Sequence, residues 1–156
     1  MIIKGMVDED FANYKKACLF ICFPHCSFKC ERENGVACCQ NGNLARSPDI
    51  EVAPELIVQR YTSNPITSAI VIGGLEPFDD WDDLYELVKL LRSVTSDDIV
   101  IYTGYNESEI QDKLEYLKQY TNIIVKFGRY IPDSKHRFDD VLGVELASEN
   151  QYARRI

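Results

Sequence analysis

Six cysteines fall within 22 consecutive residues, at positions 18, 22, 26, 30, 38 and 39, and the rest of the 156-residue chain has none. Thiols this crowded pair with one another, ligate metal or lie buried, and each choice implies a different kind of fold. Disulfides suit small secreted domains that lack a sufficient core. This chain opens without a basic, apolar export leader, and 46% of its residues are hydrophobic. One domain spanning 1–156 can then bury roughly 70% of the surface its unfolded form exposes, with no need of covalent staples. Metal or iron–sulfur ligation is therefore the expected use of the cysteine-rich loop 22–41, and buried thiols of no special function are the plainer alternative.

The formal net charge of -8 disfavours a nucleic-acid partner, because phosphate binding draws on clustered Lys and Arg. No apolar run approaches the ~20 residues that span a bilayer. A cytoplasmic address without membrane attachment is the expectation.

Beyond the cysteines, short β-branched runs alternate with amphipathic stretches, the pattern of an α/β domain with a largely parallel sheet. Leu19 to Cys22, Ser68 to Ile72, Ile99 to Tyr102 and Asn122 to Lys126 read as strands. Helices are expected from Pro54, from about Asp80 and after the capping-box pair Asn106 and Glu109. Met1 to Lys4 and Val141 to Leu146 are candidates for additional edge strands. Carboxylates at Asp79, Asp80, Asp82 and Asp83 suit a helix N-terminus better than a cation site. In a parallel sheet all strand C-termini open on one side, so the cysteine loop, Gly73-Gly74, Thr103-Gly104 and Gly128-Arg129 should converge on one crevice.

Cys26-Ser27-Phe28-Lys29-Cys30 resembles the opening of the radical S-adenosylmethionine signature. The family's third cysteine would stand at position 33, which here is Glu33, whereas Cys39-Gln40-Asn41 is similar to the Cys-x-Asn that closes the signature in ribonucleotide reductase activators. With a six-residue insertion over 31–38, the resemblance implies Cys26, Cys30 and Cys39 as ligands of a 4Fe-4S cluster. The evenly spaced triad Cys22, Cys26 and Cys30 is the competing set, and Cys38 is an alternative to Cys39. Cys18 reads as a core residue, and His25 as a polar loop residue.

Gly73-Gly74-Leu75-Glu76-Pro77 is similar to the Gly-Gly-Glu-Pro motif of the same superfamily, lengthened by Leu75. The resemblance implies an S-adenosyl-L-methionine site that includes Phe28, Gly73, Gly74, Glu76, Pro77, Thr103 and Gly104. Bulk at Gly73 or Gly74 is then expected to weaken cofactor binding and to spare the cluster. Tyr102-Thr103-Gly104-Tyr105, Gly128-Arg129-Tyr130-Ile131 and the tail 147–156 resemble, in order and spacing, segments of the anaerobic (class III) ribonucleotide reductase activating proteins. That family implies a small partial βα barrel with cluster and cofactor at the C-terminal strand ends. It also implies an oxidoreductase that generates a 5′-deoxyadenosyl radical, a glycyl-radical enzyme as partner, and a flavodoxin- or ferredoxin-type electron donor. A domain whose cysteines hold structural zinc and that only recruits a partner is the non-enzymatic alternative.

Overall fold

The computed structural model describes residues 1–156. In chain order its elements are β1 (Ile2–Ile3), β2 (Gly5–Asp10), β3 (Cys18–Phe23), α1 (Lys29–Asn34), α2 (Gly42–Arg46), β4 (Ile50–Glu51), α3 (Pro54–Ser63) and β5 (Ala69–Gly74). Then follow α4 (Trp81–Arg92), β6 (Asp98–Tyr102), α5 (Gln111–Leu117), β7 (Ile123–Phe127), β8 (Arg137–Asp139), β9 (Val144–Leu146) and β10 (Tyr152–Arg155). Short 3₁₀ turns at Pro77–Asp80 and Glu107–Glu109 lead into α4 and α5.

The central sheet has six strands in the order β10-β7-β6-β5-β3-β2. Its four inner strands, β3, β5, β6 and β7, are parallel, and β2 and β10 flank them antiparallel. The α/β class with a largely parallel sheet is thus as expected. The four strands read from the sequence are all present, with ends shifted by a residue or two. Two strands of the central sheet escaped that reading, and both are its edges, the acidic β2 and the polar β10; the short β4 and β8 outside it were not read either. Ile2–Ile3 does form a strand, but it pairs with β4 outside the main sheet, and Val144–Leu146 pairs with β8 in a hairpin.

Packing follows from the two-residue period of the strands. Leu19, Ile21, Ile70, Ile72, Ile99, Ile101, Ile123 and Val125 all face the helices. There they join Ile57, Leu84, Leu87, Leu91, Leu114 and Leu117 in a core of 23 buried residues. Deleting one such leucine side chain to alanine costs about 2–5 kcal/mol. The alternate residues face the other way, where no long helix covers the sheet. A smaller cluster of nine buried residues sits there, including Tyr14, Cys18, Val71, Val100, Ile124, Leu142 and Leu146. Loops and the β8–β9 hairpin close that side near the bottom of the sheet and leave a cavity near the C-terminal strand ends. No helix is long and apolar enough to cross a membrane.

Candidate cluster and cofactor site

The cavity has a volume of about 510 Å³, within the usual range for small-molecule sites. Its walls include Cys26, Cys30 and Cys39 from the cysteine-rich loop, Gly73, Gly74 and Glu76 from the end of β5, Thr103 and Gly104 after β6, and Lys126 and Gly128 from β7. Segments 100 residues apart in the chain meet there because parallel strands present all their C-termini on one side. Phe28 and Pro77 lie off this wall. Phe28 takes a left-handed conformation, φ 51°, at the start of α1, and Pro77 is buried at the head of its 3₁₀ turn.

The cysteine-rich loop is held from three sides. The Phe28 amide donates to Cys26 Sγ at 3.2 Å. Asp79 accepts from the Ser27 amide at 2.6 Å and from the Tyr105 hydroxyl at 2.5 Å, and Asp80 meets His25 Nδ1 at 2.6 Å. Two of the four clustered aspartates therefore clamp the loop, and none joins a set of metal-binding side chains. On the far side, Arg129 is buried and makes a two-pronged pair with Glu109, both hydrogen bonds 2.6 Å long. Its Nε also lies 2.9 Å from Oε1 of Glu33, which occupies the place of the missing third cysteine. Asn34 donates to the carbonyls of Cys30 at 2.7 Å and Tyr130 at 3.2 Å, so α1 is tied to the segment after β7. From the third side, Asn41 donates to the Gly74 carbonyl at 2.6 Å, which fixes the Cys39-Gln40-Asn41 segment to the end of β5.

All six thiols are free. Burial pushes the Cys26 thiol up to about 12, with Glu76, Asp79 and Cys39 adding to the rise against the Phe28 hydrogen bond. Cys39 is likewise raised by burial and feels Glu31 and Cys30. Cys39 is thus an electrostatic neighbour of both Cys26 and Cys30. Cys22 is not: it is buried on β3, paired with Gly73, and burial and Asp10 push it up to about 11. Cys38 neighbours Cys30 and Cys39 but does not line the cavity. Cys18 is fully buried in the smaller cluster, with its thiol directed at Asp10.

The donor set fits an iron–sulfur cluster. Three soft thiols, Cys26, Cys30 and Cys39, border one cavity, and thiolate is the ligand that such clusters take. A Cβ on Gly104 would stand 3.6 Å from Cys30 Sγ and 3.5 Å from Glu76 Oε2, ordinary contact distances that place this turn against both side chains.

The family described as the 4Fe-4S single cluster domain matches residues 15–151, a span that contains every cysteine. The chain belongs to this family. No curated protein and no solved structure matches it. As a single cluster domain, the protein binds a 4Fe-4S cluster through its cysteines, and the remaining features of the cavity can be considered around that group.

Glu76 closes the site from below. It is buried, and its carboxylate accepts from Thr103 Oγ1 at 2.7 Å, the Gly104 amide at 2.8 Å and the Phe78 amide at 3.2 Å. Burial nevertheless pushes it up to about 7 against those three hydrogen bonds. It ties the end of β5 to the end of β6, a role its place in a glycine-rich turn did not reveal. Neither Lys126 nor Tyr102 was among the site residues expected from the sequence. Both lie in apolar strand runs, and only the pairing of Tyr102 with Lys126 shows that they stand side by side on the cavity face.

Proposed function

We propose that this single cluster domain is a radical S-adenosylmethionine enzyme that installs a glycyl radical on a partner, most simply an anaerobic ribonucleotide reductase. The observation that carries this reading is the convergence of three thiols with Gly73-Gly74 and Thr103-Gly104 around one cavity. Three thiolates leave one iron of a four-iron cluster without a protein ligand, and the glycine-lined strand ends beside it let backbone approach a small molecule. The sheet, covered by helices on one face only, agrees with the partial barrel of the activating proteins. When bound, the cluster and S-adenosylmethionine supply one-electron cleavage of the sulfonium to a 5′-deoxyadenosyl radical.

The chain's own part is to hold and shield. Cys26, Cys30 and Cys39 would seat the cluster, while Asp79, Arg129 and Asn41 fix the loop that carries them. Gly73 forms the cavity floor, and Glu76 holds the Thr103-Gly104 turn against the end of β5. Lys126 is the only basic side chain on the wall, so the cavity offers little to a phosphorylated substrate. A glycine-bearing protein loop needs no such charges and would exclude water as it enters.

The test is to reduce the anaerobically purified protein, add S-adenosylmethionine and the ribonucleotide reductase encoded with it, and record the electron paramagnetic resonance spectrum. A stable glycyl radical on the reductase is the expected result. A full complement of iron and sulfide with no glycyl radical, together with turnover of some small molecule, would overturn the assignment of partner.

A further inference from the structure

Lys126 is the buried charge for which the fold gives no account. It lies on β7 between core residues, is 7% exposed, and makes one hydrogen bond, to the Gly128 carbonyl at 3.1 Å. An ammonium has three donors, and a buried one without a counter-charge is unfavourable. Lys126 has no carboxylate within ion-pair distance, unlike the buried Arg129, which has two. Its side chain belongs to the cavity wall, beside the Tyr102 ring at 6.0 Å; burial pushes the ammonium down to about 8, and Glu76 and Cys30 act against that.

The register explains how it comes to face the cavity. Cys22 pairs with Gly73, Tyr102 with Lys126, and Lys126 with Ala153. A Cβ on Gly73 would lie 3.3 Å from Tyr102 Cβ, so these residues form one row across the cavity face of the sheet. Lys126 is the only cation in that row and on the whole wall, which otherwise carries Glu76, Glu145 and three thiols.

We infer that Lys126 is the fixed counter-charge of the cluster site, where its ammonium offsets the thiolates of Cys26, Cys30 and Cys39 and makes one-electron reduction of the cluster easier. Reduction adds a negative charge to a group already anionic through its ligands. A positive charge held nearby in a low-dielectric site favours the reduced form more than the oxidised one. The inference rests on a cluster seated at these thiols and not on radical chemistry.

The experiment compares wild type, Lys126→Met, Lys126→Gln and Lys126→Arg after anaerobic reconstitution, without S-adenosylmethionine. Iron and sulfide analysis establishes that each holds its cluster. A titration with dithionite and viologen mediators, in which each cluster takes one electron from the reduced mediator, is followed by the electron paramagnetic resonance signal of the reduced cluster. For Lys126→Met the ratio of reduced to oxidised cluster at a fixed potential should fall about tenfold, a midpoint lower by about 59 mV for one electron. Lys126→Gln, which keeps a donor for Gly128 but no charge, should show the same shift, and Lys126→Arg should stay near wild type. Should Lys126→Met fail to assemble, Lys126→Gln alone decides. A midpoint unchanged in either neutral variant overturns the inference. If a separate titration of the reconstituted variants with S-adenosylmethionine shows weakened binding while the midpoint is unchanged, the inference is likewise overturned and Lys126 is instead a partner of the ligand's carboxylate. Absence of a cluster from the wild type would instead remove its premise.

Discussion

Gly73 and Gly74 are adjacent in one motif, yet the structure gives them different duties, and alanine at each position separates the two. Gly74 has φ +87°, and a Cβ there would lie 2.7 Å from Cys22 Cα, 2.9 Å from Cys22 Cβ and 3.0 Å from the Phe23 amide nitrogen. Most of that obstacle is backbone of the neighbouring strand and cannot step aside. The conformation costs an alanine about 1–2 kcal/mol and the overlap about 1–3 more, so we expect Gly74→Ala to lose about 3 kcal/mol. At Gly73 the nearest atoms are Phe20 Cε2 at 3.1 Å and Tyr102 Cβ at 3.3 Å. A ring edge can move by a few tenths of an ångström, and the expected loss is about 1 kcal/mol. The difference of about 2 kcal/mol is roughly a 30-fold change in the folded-to-unfolded ratio, or about 4–8 °C in Tm for a chain of this size. Urea and thermal denaturation of the cluster-free protein, followed by circular dichroism, measure it. Equal stabilities would refute the assignment of Gly74 to the strand contact. The same comparison bears on the expectation that bulk at either glycine weakens cofactor binding and spares the cluster. Because Gly74 lies against the Cys22 backbone, its substitution mixes a loss of fold stability into the readout, and Gly73→Ala is the variant in which a weakened affinity for S-adenosylmethionine can be read most directly.

Cys26→Ala, Cys30→Ala and Cys39→Ala should each lose the iron measured after anaerobic reconstitution, whereas Cys18→Ala should keep it; retention in Cys39→Ala with loss in Cys22→Ala would establish the contiguous triad instead. Arg129→Gln removes a buried guanidinium from Glu109 and Glu33, and because those carboxylates are partly solvated the cost should be about 2 kcal/mol in urea unfolding, with faster iron release to a chelator. For acid stability the informative group is Asp98, which burial alone would raise but which hydrogen bonds from Lys16, Arg155 and Tyr14 hold down at about 2. A depressed carboxylate stabilises the fold above its unfolded value of roughly 4 and loses that contribution as the pH falls from there towards 2. Asp98→Asn should therefore flatten the fall of the unfolding midpoint between about pH 4 and 2, and an unchanged slope would exclude this residue.

What could be read from the chain, and what could not, has a physical pattern. The four inner strands announce themselves because burial on both faces demands continuous β-branched runs such as Ile70-Val71-Ile72 and Ile99-Val100-Ile101. The edge strands do not, since Gly5–Asp10 and Tyr152–Arg155 each pair on one side only and carry the charges that protect an exposed edge. The capping pair Asn106 and Glu109 was legible, but it caps a 3₁₀ turn ahead of α5. In the site, thiols and glycines stood out by type and spacing. The partners of Asp79, Arg129 and Lys126 did not, because they lie 52, 20 and 24 residues away, and only the fold brings them together.

The helices on one face of the sheet and the cavity on the other give successive residues of a strand unrelated obligations. Ile101 is sealed in the large core while Tyr102, its neighbour, borders the cavity. A saturation library along β6 should accordingly lose soluble protein at Ile99, Val100 and Ile101, which are sealed in one core or the other, and change ligand properties at Tyr102. Such a skeleton lets heritable variation explore new chemistry at the strand ends that border the cavity while the rest of each strand preserves the fold that displays it.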